Sequence, residues 1–224
     1  PDAATEIGQL MRRCGSRLGL EAEIVSLNFA RSLGRAVGRG AHLQAADGLV
    51  EELRVIKDMD EIKALERSFA LNHAMLRWLE ESQLQPGRSE AELAWAIEKY
   101  FRDNGASELA FPSIVAVDQN AALPHAIPGE KKLPDNGLVL VDVGCRVDGY
   151  CSDQTRTFWV GDAPHKEFRE TMKLVRDAQQ AALDKMRPGL PLHEAYTLAR
   201  GVFEKAGVEA WFTHGLGHGV GLET

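Results

Sequence analysis

Cysteine, positive charge and long apolar runs are all scarce in this 224-residue sequence, and each shortage removes a class of protein. Three cysteines, Cys14, Cys145 and Cys151, are too few for a disulfide scaffold, and the usage fits a reducing, cytoplasmic compartment. No uninterrupted apolar stretch approaches the roughly 20 residues a membrane-spanning helix needs, and no basic, then apolar, signal-like segment follows Pro1. No membrane partner is expected. Lysine and arginine total 26 against 33 acidic residues, and the net charge of −7 argues against a nonspecific nucleic-acid binder, which presents a basic face. Heptads, low-complexity runs and internal repeats are missing as well. What remains is 44% hydrophobic residues, enough for one sizeable core in one or two domains.

The pattern of elements is blocky. A helix-like stretch lies around Ile7–Leu18, a short strand is expected at Ile24–Leu27, and a helical piece runs from Asn28 to Val37. A long amphipathic helix is predicted from Asp60 to Glu81, with Ile62, Leu65, Phe69, Leu76 and Leu79 on one stripe and His73 near it as a core or boundary histidine. Ser89 and Glu92 form a capping-box pattern that opens a helix through about Arg102, stopped at Asn104-Gly105. Two further helices, His165–Lys185 and Leu192–Ala206, are separated by Pro188-Gly189. Strands and helices in blocks predict an α+β fold, with helices packed on an antiparallel sheet.

The chemistry gathers around one predicted hairpin. Leu138–Val141, entered through Asp135-Asn136-Gly137, reads as a buried strand, and Thr155–Val160 is rich in β-branched and aromatic residues. Between them Asp148-Gly149 is the dipeptide favoured where a tight turn needs positive φ at both central positions. Pairing Val147 with Tyr150 sets Asp142 opposite Thr155 and makes Asp153 the diagonal neighbour of Asp142 on one face, roughly 7–8 Å away at the backbone. The same register turns Cys145 and Cys151 to opposite faces. Two carboxylates held so close repel each other and resist desolvation unless a cation neutralises them or one takes a proton. Taken alone, each would be a turn or surface carboxylate.

His214-Gly-Leu-Gly-His218 adds imidazoles on a glycine-rich segment able to follow backbone paths closed to other residues. A mixed oxygen and nitrogen donor set suits manganese, cobalt, zinc or iron better than magnesium. Arg156 reads equally as support for a buried carboxylate or as an ordinary strand residue.

Val141-Asp-Val-Gly144, Asp148–Phe158 and His214–Glu223 resemble the signatures of the pita-bread metallopeptidases, in particular the Xaa-Pro aminopeptidase and Xaa-Pro dipeptidase (prolidase) branch. Leu49–Asp58 is similar to the segment leading into that family's catalytic domain, and Phe111–Ala116 with Leu123-Pro-His125-Ala126 resembles the strand and loop that carry its first active-site histidine. The resemblance covers roughly residues 49–224 and implies a pita-bread catalytic domain there, with residues 1–48 the remnant of an amino-terminal domain. It implies Asp142 as ligand of one metal, Asp153 as a carboxylate bridging two, His218 as a terminal ligand, and His125 and His214 as non-ligand histidines that orient substrate and stabilise the charged intermediate. The implied activity is hydrolysis of peptide bonds preceding proline, with two divalent ions, manganese first among them, a proline-containing peptide as partner, and a homodimer as the family tendency. The family completes its site with two glutamates beyond the histidine segment. The sequence ends six residues after His218, so an incomplete domain with weak activity on its own is expected.

Other readings stay open at this level. A non-catalytic pita-bread relative that binds a protein or peptide and a metal-free, creatinase-like amidinohydrolase are both disfavoured by Asp142, Asp153 and His218. Methionine aminopeptidases share the paired aspartates, but the double-histidine segment looks closer to the proline-specific branch.

Overall fold

Short polar side chains start most of the helices, and their placement explains where this chain changes direction. The computed structural model describes residues 2–38 and 40–224, which form two units, one ending at Lys57 and one spanning Asp58–Thr224.

In the first unit Asp2 accepts the backbone N–H of Thr5 at 2.9 Å and opens α1, Ala3–Cys14. Strand β1 is Arg17–Leu20, α2 is Leu27–Val37, β2 is His42–Ala45 and α3 is Leu49–Val55. Strands β1 and β2 pair in parallel, Arg17 opposite His42 through Leu20 opposite Ala45, which requires a crossover that α2 supplies. Ala4, Met11, Leu33 and Val37 form the small core, with Leu18 and Leu43 packed against it. Two expectations are corrected here. The first helix lies about four residues earlier than the apolar pattern placed it, because Asp2 caps it and Gly15 follows its end; Arg17–Leu20 is then free to become strand. Ile24–Leu27 is not a strand: Ser26 accepts the N–H of Phe29 at 3.2 Å and caps α2, leaving Ile24 in the preceding turn, 75% exposed.

In the second unit Asp58 and Glu61 form a reciprocal capping box at the start of α4, Met59–Ser82, and Ser89 with Glu92 does the same for α5, Glu90–Asp103. The strands are β3 Glu108–Leu109, β4 Ile114–Val117, β5 Gly137–Val143, β6 Cys145–Val147, β7 Tyr150–Cys151 and β8 Gln154–Val160, followed by α6 Lys166–Leu183 and α7 Leu192–Lys205. Two antiparallel sheets result, ordered β4-β5-β8 and β3-β6-β7. The α+β expectation holds in this unit, where Met75, Leu76 and Leu79 of α4 and Leu93, Ile97 and Phe101 of α5 share one core with Val115, Val117, Val139, Val141 and Val143 of the sheet. Along β5 buried and half-buried residues alternate, so the valines face the helices and Asp142 lies on the opposite side with Leu138 and Leu140. Helices α6 and α7 pack on each other through Ala178, Ala182 and Ala199, whose small side chains allow close approach.

The buried stripe of α4 is Ala64, Ser68, Asn72, Met75, Leu76 and Leu79. Only Leu76 and Leu79 of the expected stripe are fully buried; Ile62 is exposed and so is His73, which is therefore not a core histidine. The helix turns two polar residues inward because the hairpin it covers offers backbone groups that need partners.

Candidate metal centre

The hairpin forms in the register that its turn demands. Asp148 and Gly149 adopt φ of 51° and 85°, Val147 lies opposite Tyr150, and further along Asp142 lies opposite Thr155. Arg67 of α4 donates to Asp148 at 2.7 Å and fixes the turn from outside. Regular pairing stops between β5 and β6 on one side and between β7 and β8 on the other, at Gly144, Ser152 and Asp153. There Ser152 N–H still donates to the Cys145 carbonyl at 2.9 Å, but the return bond goes from Cys145 N–H to the Ser152 hydroxyl at 3.2 Å. The Ser152 carbonyl instead sits over Gly144, where any Cβ would collide with it and with the Phe111 ring. A glycine at 144 is thus the condition for the kink that aims Asp153.

Asp142 and Asp153 emerge on one side of this kink. Asp142 Oδ1 accepts from Thr155 Oγ1 at 2.7 Å. The Asp153 side chain is 21% exposed. Burial pushes its carboxyl above the ordinary value and the Asp142 carboxylate beside it pushes the same way, against an opposing pull from His218. The like-charge conflict anticipated from the sequence is therefore present.

His218 reaches this pair because its segment is tied to the hairpin. Cys151 N–H donates to the Gly221 carbonyl at 2.7 Å, and Arg146 Nη1 donates to the Leu222 carbonyl at 2.6 Å. His218 Nε2 then stands 3.2 Å from Asp153 Oδ2 while Nδ1 lies 2.9 Å from the Gly219 carbonyl. A carbonyl only accepts, so Nδ1 carries a proton, and Nε2 faces the carboxylate with either a second, shared proton or a lone pair that a cation would bridge. His214 repeats the device: its Nδ1 donates to the Gly215 carbonyl at 2.7 Å and its ring packs edge-on against Phe212 at 4.9 Å. His214 makes no polar contact with the aspartates.

His125 is exposed on the turn after Asp118–Ala122 and makes no hydrogen bond or ion pair to Asp142, Asp153, His214 or His218. The loop that carries it is held by Glu90, 1% exposed, whose Oε1 accepts from Val117 N–H and Asn120 Nδ2, both at 2.8 Å, and whose Oε2 accepts from Gly129 N–H at 3.1 Å. Arg156 is exposed and donates to the Thr155 carbonyl, an ordinary strand role. Sequence reasoning missed Glu90, Asn72, Ser152 and Thr155. A polar residue on the inward phase of an otherwise apolar helix was the available signal for Asn72.

Among the described residues, no group of three or more His, Cys, Asp or Glu side chains is drawn together closely enough to enclose an ion. Asp153 is the common neighbour of Asp142 and His218 instead, with His218 Nε2 3.2 Å from its Oδ2 and the Asp142 carboxylate near enough to add to the rise that burial causes. Two carboxylates and an imidazole whose second nitrogen is anchored to a carbonyl are nonetheless a donor set that fits divalent transition ions, and the raised Asp153 carboxyl is the group a cation would relieve.

Comparison with known proteins bears on the same segment. The model of metallopeptidase family M24 matches residues 63–224. Over 178 residues, 79% of this chain, the sequence is 35% identical to the Xaa-Pro dipeptidase of Pyrococcus furiosus, of which it covers 50%. An uncharacterised peptidase of Staphylococcus epidermidis is 35% identical over 208 residues, 93% of this chain and 58% of that protein. Among solved structures, an Xaa-Pro dipeptidase from Bacillus anthracis superposes with a TM-score of 0.94 at 32% identity, covering 100% of this chain and 62% of that one. An X-Pro aminopeptidase from Thermotoga maritima gives 0.89 at 29%, covering 100% and 63%. The chain thus spans between 50% and 58% of the length of these curated relatives.

Proposed function

The chain belongs to metallopeptidase family M24 and its fold is that of the pita-bread enzymes; from that premise we propose that the protein hydrolyses peptide bonds preceding proline, as an Xaa-Pro dipeptidase or aminopeptidase. The observation that carries the reading is the half-buried Asp153 carboxylate, set 3.2 Å from His218 Nε2 and raised by its burial and by the like charge of Asp142. A scaffold that only binds a protein or peptide gains nothing from that conflict.

Asp142, Asp153 and His218 would hold two divalent ions, manganese foremost, with cobalt, zinc or iron compatible with the same donors. When bound, such a pair supplies activated water and polarisation of the scissile carbonyl. Asp142 keeps one oxygen on the Thr155 hydroxyl, which fixes the orientation of the other. His214, with Nδ1 on a carbonyl, presents Nε2 outward as an acceptor when neutral and as a donor when protonated, so it can follow charge as it develops on the substrate. His125, on the loop anchored by Glu90, is assigned the second substrate-orienting role. The Xaa-Pro amide has no N–H and a restricted φ, so its recognition calls for a site that demands neither.

Residues 1–48 are read as part of an amino-terminal domain and 49–224 as catalytic domain. A cytoplasmic location is supported by three free cysteines, and a homodimer is the assembly proposed. The test is an assay of the full-length protein with manganese on a Gly-Pro dipeptide and on a longer Xaa-Pro peptide. Release of the first residue from either supports the reading and separates the two specificities. Stoichiometric metal with no cleavage of either substrate sinks it.

A further inference from the structure

Asn72 joins the two strands of the hairpin beside both aspartates. Its side chain is fully buried, and Nδ2 donates to the Val143 carbonyl at 2.8 Å and to Ser152 Oγ at 3.2 Å. Val143 follows Asp142 and Ser152 precedes Asp153, so one amide group ties together the neighbours of the two carboxylates. It does so where the backbone ladder is interrupted and Cys145 N–H has exchanged a backbone acceptor for the Ser152 hydroxyl. One turn earlier on α4, Ser68 Oγ donates to the Cys145 carbonyl at 2.9 Å, so the helix grips the kink at successive turns. The arrangement leaves Asn72 Oδ1 buried with no partner. A position selected for packing alone would shed that orphaned acceptor by carrying an apolar residue.

We infer that Asn72 is a positioning residue for metal binding: its two donated hydrogen bonds hold the displaced Ser152 and thereby set the spacing of Asp142 and Asp153. The inference rests on the reading that these carboxylates hold metal ions. It assigns α4, which contributes no ligand, control over how tightly the ions are held.

Calorimetric titration of the metal-free full-length protein with Mn²⁺ tests it, using Asn72→Leu, Ser152→Ala and the double variant beside Asp153→Asn. Loss of a group bonded directly to a ligand lowers metal affinity by about 10- to 100-fold, and Asn72→Leu, which acts on the neighbours of the two carboxylates, is expected at the lower end, about 10-fold. Ser152→Ala, smaller in perturbation and usable should the leucine variant fold poorly, is expected to weaken binding as well. The double variant is expected to lose less affinity than the two single losses combined, because the Asn72–Ser152 hydrogen bond is common to both, while Asn72 also serves the Val143 carbonyl and Ser152 also accepts from Cys145 N–H. In chelator, Asn72→Leu is expected to melt below wild type, since the Val143 carbonyl and the Ser152 hydroxyl lose a buried donor, so its Mn²⁺ affinity is read at a temperature where the variant is folded. Mn²⁺ affinity within twofold of wild type in Asn72→Leu or in Ser152→Ala, with Asp153→Asn defective, overturns the inference and leaves the site reading standing. Wild-type Mn²⁺ binding in Asp153→Asn overturns both.

Discussion

Thr155 Oγ1 donates a 2.7 Å hydrogen bond to Asp142 Oδ1 from the position directly opposite it in the β5–β8 ladder. A hydroxyl given to a carboxylate is among the stronger side-chain hydrogen bonds, and it restrains a rotor that would otherwise be free on the half-buried face of β5. Thr155→Val keeps the β-branched shape the strand favours and removes only the donor. The expected result is Mn²⁺ affinity lower by roughly 10-fold, with recovery in Thr155→Ser. Unchanged affinity in the valine variant would mean that Asp142 needs no such restraint.

Gly144 offers a test of the kink itself. Its missing Cβ is what lets the Ser152 carbonyl lie over the opposite strand, so Gly144→Ala forces backbone against backbone with no flexible side chain to yield. A loss of about 3 kcal/mol or more is expected in denaturant unfolding. Gly201 in α7 is the control, because a Cβ there meets open space. Gly201→Ala should stabilise by about 0.5–1 kcal/mol. Equal effects at the two glycines would show that the close approach at 144 is unimportant.

These two residues also mark how far the sequence could be read. The turn dipeptide Asp148-Gly149 and the period-two alternation of strands determined the register, so the diagonal relation of Asp142 and Asp153 was legible before any coordinates. The Ser89–Glu92 capping box was legible for the same local reason, whereas the Asp58–Glu61 box at the head of α4 went unread and the helix was expected to begin at Asp60. What was not legible depends on tertiary partners. The inward turn of Ser68 and Asn72 rotates the buried stripe of α4 away from its most apolar phase, because the kinked hairpin above it has two carbonyls and a hydroxyl to satisfy. Ser26 at the head of α2 was hidden by the β-branched pair Ile24-Val25, whose apolar character suggested a strand while the cap decided for a turn. The crossover pairing of β1 with β2 was equally out of reach, since neither strand has a pattern that names its partner.

The cysteines give a prediction in the alkaline range. Cys145 and Cys151 are fully buried, and burial is the main cause that pushes both thiols above the ordinary thiol value. In the native protein an alkylating reagent should label exposed Cys14 first, with Cys145 and Cys151 reacting only on unfolding, as peptide mass spectrometry would show. The sign of the linkage follows from the raised values: the folded chain holds these protons more tightly than the unfolded chain. Their contribution to stability is fully present below the unfolded thiol value and is lost as the pH rises through the folded values. A melting temperature that climbs through that window would contradict the assignment.

Asp153 interacts with both Asp142 and His218, and its replacement should act in opposite directions with and without metal. In chelator the carboxylate is a burden, half-buried beside Asp142 with His218 as its partial compensation, so Asp153→Asn removes a like-charge conflict and should melt at or above wild type. With Mn²⁺ the order reverses. A ligand that binds only the folded state at about 100 times its dissociation constant stabilises by about 2.7 kcal/mol, which the wild type should gain and Asp153→Asn should lack. The measurement is a pair of thermal melts for each protein, one in chelator and one in excess Mn²⁺. A wild type indifferent to the metal, or a variant that gains as much as wild type, would move the metal centre away from this hairpin.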